Sequence, residues 1–268
     1  MKYKISDVKR ILNISEDTLR YFDNKKIINT IRDKNNNYRY FKAEDINKIF
    51  AYKMYRSLLF NMSDADQLIS GSSVDMLETK LNEQLEVIGK EEEYLIRAKK
   101  HIALLTEKVL KWKHFKDGFE VTKSPGCYYH RNQTASDFIK EEAVFKDTYQ
   151  CLNYLPDIWP CFCYAPPEYQ SVSGFSFGYG FYTNQAPPIQ GLLHLPPSKC
   201  LYSIFTLEGN LEQYLPGVLT KAEAYCKEHG YTPEGIVYGS ILHEMKEDNR
   251  IIRLFDIYIP FTLTKSAK

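Results

Sequence analysis

The sequence predicts an α+β protein in three parts: an N-terminal winged helix-turn-helix, a long coiled-coil dimerisation helix, and a C-terminal duplicated β-α-β-β antiparallel sheet domain. The expected boundaries are 1–70, 71–118 and 119–268. Three observations carry that reading. Basic residues concentrate in Met1–Phe60, where 14 Lys plus Arg stand against 7 Asp plus Glu; this net of +7 leaves −6 for the rest of a chain whose total is +1. Six apolar residues recur at seven-residue intervals from Val74 to Val109. Beyond Pro125 and Gly126, tyrosine and phenylalanine dominate, and the order strand, helix, strand, strand occurs twice.

Taken in order, Ile5, Val8, Ile11 and Leu12 recur at helical spacing, with Ser6 as the expected N-cap. Asn13 and Ile14 break the pattern, and Ser15 caps a second helix. There Leu19 and Phe22 face inward while Asp17, Arg20, Tyr21 and Asn24 form the opposite, base-reading face. Asp33 to Asn37 is a turn-forming cluster followed by Tyr38, Arg39 and Tyr40, which reads as a hairpin wing. Helical periodicity returns at Ala43 to Asn61 through Ile46, Ile49, Phe50, Met54 and Leu58, and a short helix follows near Ser63 to Ile69.

The next segment places Val74, Leu81, Ile88, Leu95, Ile102 and Val109 on one strict heptad position, with Leu77, Gln84, Glu91, Ala98, Leu105 and Trp112 between them. Six heptads make a rod of roughly 60 Å, too long for one small domain to cover, so a second copy is the expected partner. A helix lying across its own C-terminal domain is the alternative.

The first C-terminal unit is expected as an extended Cys127–His130, a helix near Ala135–Leu152, and strands at Trp159–Tyr164 and Gly174–Tyr182. The second is a strand at Cys200–Leu207, a helix at Leu211–Glu228, and strands at Gly235–Ile241 and Arg250–Ile259, the two forming one mostly antiparallel sheet with its helices on one face. On Gly174–Tyr182, Phe175, Phe177, Tyr179 and Phe181 share a face while Ser176, Gly178 and Gly180 leave the other bare; either a helix or a flat ligand packs there. Asp256 shares a strand face with Ile252, Leu254 and Tyr258, and a carboxylate buried there without a partner is costly.

No apolar run approaches the ~20 residues of a membrane span. Met1 to Arg10 alternates charged and apolar residues, which points to a cytoplasmic protein. The six cysteines, all in the C-terminal half and without a CxxC pair, read as reduced thiols; Cys161 and Cys163 are expected in the core and not on a metal. No catalytic residue, metal ligand or cofactor is identified.

The stretch Ser15-Glu16-Asp17-Thr18-Leu19-Arg20-Tyr21-Phe22-Asp23, with Tyr38-Arg39-Tyr40-Phe41 and Ala43-Glu44-Asp45-Ile46, resembles the MerR family of winged-helix regulators. The resemblance covers roughly the first 115 residues. It implies a homodimer on double-stranded promoter DNA, with Thr18, Arg20 and Tyr21 contacting DNA from the recognition helix and Tyr38 and Arg39 from the wing. It also implies distortion of a promoter so that RNA polymerase, an indirect partner, can use it. Asn61 stands where family members often carry glycine. Lys123 to Phe261 looks like the GyrI-like effector-binding domain of multidrug-sensing members of the BmrR type, from its duplicated order, its Pro-Gly start and the ending Leu254-Phe255-Asp256-Ile257-Tyr258-Ile259-Pro260.

That resemblance implies a small aromatic or cationic effector paired with Asp256. Tyr154, Tyr164, Tyr179, Tyr238, Phe177 and Tyr258 are the candidate aromatic contacts, and Glu208 and Glu244 are lesser acidic candidates. The rivals are metal sensing, which the absence of cysteine from Asn61 to Gly118 disfavours, a GyrI-like hydrolase, for which no nucleophile or acid–base pair is legible, and a regulator without a ligand or a drug-sequestering module.

Overall fold

The computed structural model describes residues 2–33, 38–114, 118–134, 137–169, 174–183, 185–248 and 250–264, in two compact units, Met1–Tyr94 and Leu95–Lys268. Helix α5 (Val74–His114) contributes residues to both.

The first unit contains β1 (Tyr3–Lys4), α1 (Ile5–Leu12), α2 (Glu16–Asn24), β2 (Ile31–Arg32), β3 (Arg39–Phe41), α3 (Ala43–Ser57) and α4 (Met62–Ile69). Helix α1 starts at Ile5, so Ser6 is inside it and not its cap. The reason is tertiary: Tyr3 and Lys4 pair with Phe41 and Tyr40, which holds the chain extended up to Lys4, and the Asp7 carboxylate accepts the Lys4 N–H at 2.9 Å. Asn13 makes the tight turn with φ of 47°, a left-handed conformation that asparagine tolerates. Ser15 caps α2 as expected, its Oγ accepting the Thr18 N–H at 3.1 Å.

Val8, Leu12, Leu19, Phe22, Ile27, Ile28, Phe41, Ile49 and Tyr52 form the core of this unit. Ile11, Phe50, Met54 and Leu58 are exposed, contrary to expectation. The buried face of α3 runs through Asp45, Ile49 and Tyr52, rotated from the apolar stripe that periodicity selects. Asp45 belongs there because its oxygens accept the N–H groups of Asn29 at 3.0 Å and Lys42 at 2.8 Å, capping α3 and holding the preceding linker. Strands β2 and β3 are antiparallel and β1 joins on β3. Of the expected wing turn, 34–37 lie outside the described residues. Asn61 caps α4, accepting the Asp64 N–H at 2.9 Å, which accounts for a side chain at that position.

The second unit contains β4 (Glu120–Lys123), β5 (Cys127–Gln133), α6 (Glu142–Leu152), β6 (Ile158–Ala165), β7 (Gly174–Phe181), β8 (Leu193–Leu195), β9 (Lys199–Glu208), α7 (Leu211–Glu228), β10 (Tyr231–Pro233), β11 (Val237–Glu247) and β12 (Arg250–Leu263). Its strands pair antiparallel in the order β4-β9-β12-β11-β6-β7-β5-β8, with β10 on β12. The two repeats, β5-α6-β6-β7 and β9-α7-β11-β12, are the expected duplication, and they join through β6 and β11.

Alternation divides the sheet into two faces. Phe255, Ile257, Ile259 and Phe261 pack under α7, which contributes Leu211, Leu215, Val218, Ala222 and Cys226, and α6 lies on the same face over Ile158 and Phe181 through Cys151. The opposite face carries Leu254, Asp256, Tyr258, Tyr202 and Tyr238, covered by Leu105, Val109 and Trp112 of α5. These α5 residues occupy heptad positions, so this part of the helix lies across its own domain. Leu95 and Ile102 on the same repeat are 57% and 64% exposed and have no such cover.

Among the described residues, the bare face of β7 is met at its glycines by a neighbouring strand and by thiols. A Cβ on Gly178 would stand 1.9 Å from the carbonyl oxygen of His130, and one on Gly180 would stand 2.4 Å from Cys161 Sγ, so the neighbouring strand and buried thiols fill it. All six cysteines are free and buried. Burial pushes the Cys163 and Cys200 thiols up to about 12.

Candidate functional site

On the α5-covered face, strand alternation sends Asp256 and Tyr258 inward from β12, and Tyr202 arrives beside them from β9. Asp256 is fully buried. Such a carboxylate costs several kcal/mol without partners, and here it has three. Ser240, its register partner on β11, donates its N–H to Oδ1 at 2.7 Å; the Tyr202 hydroxyl donates to Oδ2 at 3.4 Å; and the Lys108 ammonium of α5 pairs with Oδ2. Leu105, Val109 and Trp112 hold α5 on the sheet, and this directs Lys108, 14% exposed, between them into the site.

Four rings surround the Lys108 ammonium at nearly equal range. The distances to their centroids are 5.5 Å for Trp159, 5.6 Å for Tyr258, 5.7 Å for Tyr182 and 5.8 Å for Tyr202. Each cation–π contact is worth about 0.5 to 2 kcal/mol. Tyr238 stacks on Tyr258 at 5.3 Å, and the Tyr182 hydroxyl lies 2.5 Å from Ser240 Oγ. Burial, with the Asp256 charge adding to it, raises the Tyr202 and Tyr258 phenols far above their ordinary value, and burial raises Tyr182 likewise. The box is therefore lined by neutral rings around the Lys108–Asp256 pair, with the Glu107 and Glu120 carboxylates nearby.

A cavity of about 320 Å³ opens onto Lys108, Trp159, Tyr182, Tyr202 and Tyr258. A larger one, about 960 Å³, shares Trp159 and Tyr182 with it and is lined also by Arg97, Lys100, His101, Lys123, Tyr154 and Asp157. Arg97 is paired with Asp157 at 2.9 Å, and His101 stacks on Trp159 at 4.0 Å, where burial lowers its basicity.

In the N-terminal unit the expected DNA face of α2 is open at Arg20, whose side chain is 58% exposed and bridges to Glu16 at 3.1 Å along the helix. Such a surface pair is worth little, so the guanidinium can exchange it for another acceptor. Thr18 Oγ1 shares a hydrogen bond of 2.8 Å with Ser15 Oγ. Tyr21 is partly buried: its hydroxyl donates to Asp66 Oδ2 of α4 at 2.8 Å, and that bond to a carboxylate raises the phenol to about 12. Arg39 of β3 bridges to Asp23 of α2 at 2.9 Å, tying the strand to the helix, and Tyr38 beside it is 66% exposed.

Residues 3–72 match the family model described as MerR HTH family regulatory protein. The N-terminal unit carries a MerR-type helix-turn-helix. No curated protein matches the chain. Among solved structures, one described as the cryo-EM structure of an EcmrR–DNA complex in EcmrR-RPo aligns over 97% of this chain and 100% of its own, at 13% identity and a TM-score of 0.35. In the MerR-type unit, Thr18, Arg20 and Tyr21 lie on α2, Arg39 lies on β3 with Tyr38 just before it, and Tyr21 also braces α4.

Of the seven residues expected around an effector, Asp256, Tyr238 and Tyr258 come together on one face, and Tyr154 lines the larger cavity. Phe177, Tyr179 and Tyr164 lie on the opposite face of the sheet, Tyr164 and Phe177 against the α7 core and Tyr179 beside Phe181. Glu208 and Glu244 are at the surface, paired with Arg250 at 3.4 Å and Arg253 at 2.7 Å. Sequence reasoning missed Lys108, Trp159, Tyr182 and Tyr202. The one signal that could have found Lys108 is its place between the heptad positions Leu105 and Val109, flanking the stripe that meets the sheet.

Proposed function

We propose that the protein is a homodimeric, ligand-responsive transcription regulator. The N-terminal unit binds a pseudo-palindromic promoter, with Thr18 and Arg20 of α2 in the major groove and Tyr38 and Arg39 on the flanking backbone, and it distorts the duplex to the benefit of RNA polymerase. The C-terminal unit is a GyrI-like effector domain for a small aromatic or cationic compound, held over Asp256 among the Trp159, Tyr182, Tyr202 and Tyr258 rings. Two copies join along the exposed apolar positions of α5.

The match of residues 3–72 to the MerR HTH family carries this reading. It is supported by the net charge of +7 in Met1–Phe60 and by a box of four rings around the Lys108 ammonium, which pairs with a buried carboxylate. The test is fluorescence anisotropy of the full chain with a labelled duplex from the DNA upstream of its own coding sequence, against a scrambled duplex, across a salt series. Expected are a clear preference for the cognate duplex, a falling log K with log salt, and a changed affinity on adding phenethylammonium. Equal affinity for both duplexes overturns the regulator reading.

A further inference from the structure

We infer that the aromatic box over Asp256 is a receptor for an organic monoammonium ion in which Lys108 is the resident, tethered cation, so that a ligand binds by evicting the Lys108 side chain from the box. This inference rests on the effector-sensing reading above and names its ligand class.

An ion pair that only pins a helix to a sheet needs a carboxylate and an ammonium. This site has more: four ring centroids lie 5.5 to 5.8 Å from the ammonium, so the charge is solvated on its free sides by ring faces. That is the environment an untethered ammonium requires. The carboxylate also keeps two donors, the Ser240 N–H and the Tyr202 hydroxyl, when Lys108 is out, so the receiving group stays in place during exchange. The side chain has an exit, because Lys108 itself lines the 320 Å³ cavity.

The neighbouring 960 Å³ cavity limits the ligand further. Lys100 and Lys123 line it, and the Asp157 carboxylate there is bound to Arg97. A ligand whose ammonium sits in the box therefore extends a body past basic side chains, which disfavours a second positive charge. A neutral aromatic body fits Trp159 and Tyr182, the two rings that both cavities share.

Exchange of a tethered cation has a quantitative signature: ligand affinity is reduced by the fraction of time the box is vacant. The experiment is titration calorimetry of the full chain with phenethylammonium and with 1,6-diaminohexane, on wild type, Lys108→Ala, Lys108→Met and Lys108→Met/Asp256→Asn. The methionine keeps the stem and loses the charge, so the result does not depend on how one variant folds. If Lys108 fills the box nine-tenths of the time or more, both single variants bind phenethylammonium at least about tenfold more tightly than wild type. Phenethylammonium also raises their melting temperature more than it raises that of wild type, the double variant loses the gain, and the diamine binds more weakly throughout. Equal affinity of wild type and both Lys108 variants overturns the resident-cation inference while leaving effector sensing intact. Absence of binding to all forms, with neutral aromatic compounds still bound, overturns the ammonium class, and absence of any small-molecule binding overturns the effector reading itself.

Discussion

Replacing Tyr21 with phenylalanine separates a structural role for this residue from a DNA-contacting one. The change deletes one oxygen, which donates to Asp66 Oδ2 at 2.8 Å. The other Asp66 oxygen is buried without a hydrogen-bond partner, so the variant leaves the carboxylate poorly compensated. A hydrogen bond to a charged acceptor contributes roughly 1.5 to 3 kcal/mol net, and because Tyr21 is only partly buried a loss of about 2 kcal/mol is expected. In a unit of this size, Met1–Tyr94, that corresponds to a melting shift of roughly 10 °C. Both tryptophans, Trp112 and Trp159, belong to the other unit, so their fluorescence is an internal control while far-UV circular dichroism follows the helices. The hydrogen bond also sets a pH dependence. The folded phenol is held at about 12 against 10.0 in the unfolded chain, so its contribution is complete below pH 10 and is lost as pH rises through 12; Tyr21→Phe removes that alkaline slope. An unshifted dichroism transition, together with a DNA-binding defect at temperatures where both proteins are folded, refutes the bracing role.

Three further outcomes are expected. Gly239→Ala puts a Cβ 2.0 Å from the Asp256 carbonyl oxygen, a backbone atom that cannot swing aside, so a loss of about 3 kcal/mol or more should appear in a tryptophan-monitored urea melt. Arg39→Gln should weaken cognate and scrambled duplexes alike and reduce the salt slope by about 1, whereas Arg20→Gln should cost about 1 to 3 kcal/mol on the cognate duplex and relax its specificity, both read by anisotropy. Leu95→Glu/Ile102→Glu changes two exposed positions, so each copy should keep its stability within about 0.5 kcal/mol while sedimentation equilibrium shifts from dimer to monomer.

Much of the C-terminal fold was legible because its signals are local. Helix α7 runs over Leu211–Glu228 as periodicity indicates, since one apolar stripe suffices to bury it. Strands β9 and β12 are buried on both faces over Cys200–Phe205 and Leu254–Ile259, and so show as nearly continuous apolar runs. The segments β4, β8 and β10 span only three or four residues, too few to display a period, and pair because longer neighbours present open edges. The rotated face of α3 was illegible because a buried Asp45 is justified only by the backbone groups it caps. Asp256 stood out as a carboxylate among apolar neighbours. Its partner lies 148 residues away, and the rings around that partner come from β6, β9, β12 and the residue after β7, so no window of sequence contains the box.

The sheet of the second unit ends in two very short strands. At one margin β4 offers Glu120–Lys123, with a charge at either end; at the other β8 offers Leu193–Leu195, followed at once by Pro196 and Pro197. Each of these two strands by itself presents only a short row of amides and carbonyls to a foreign strand. Growth of the sheet from either of these strands is thereby confined to three or four residues, a poor template for fibrillar pairing.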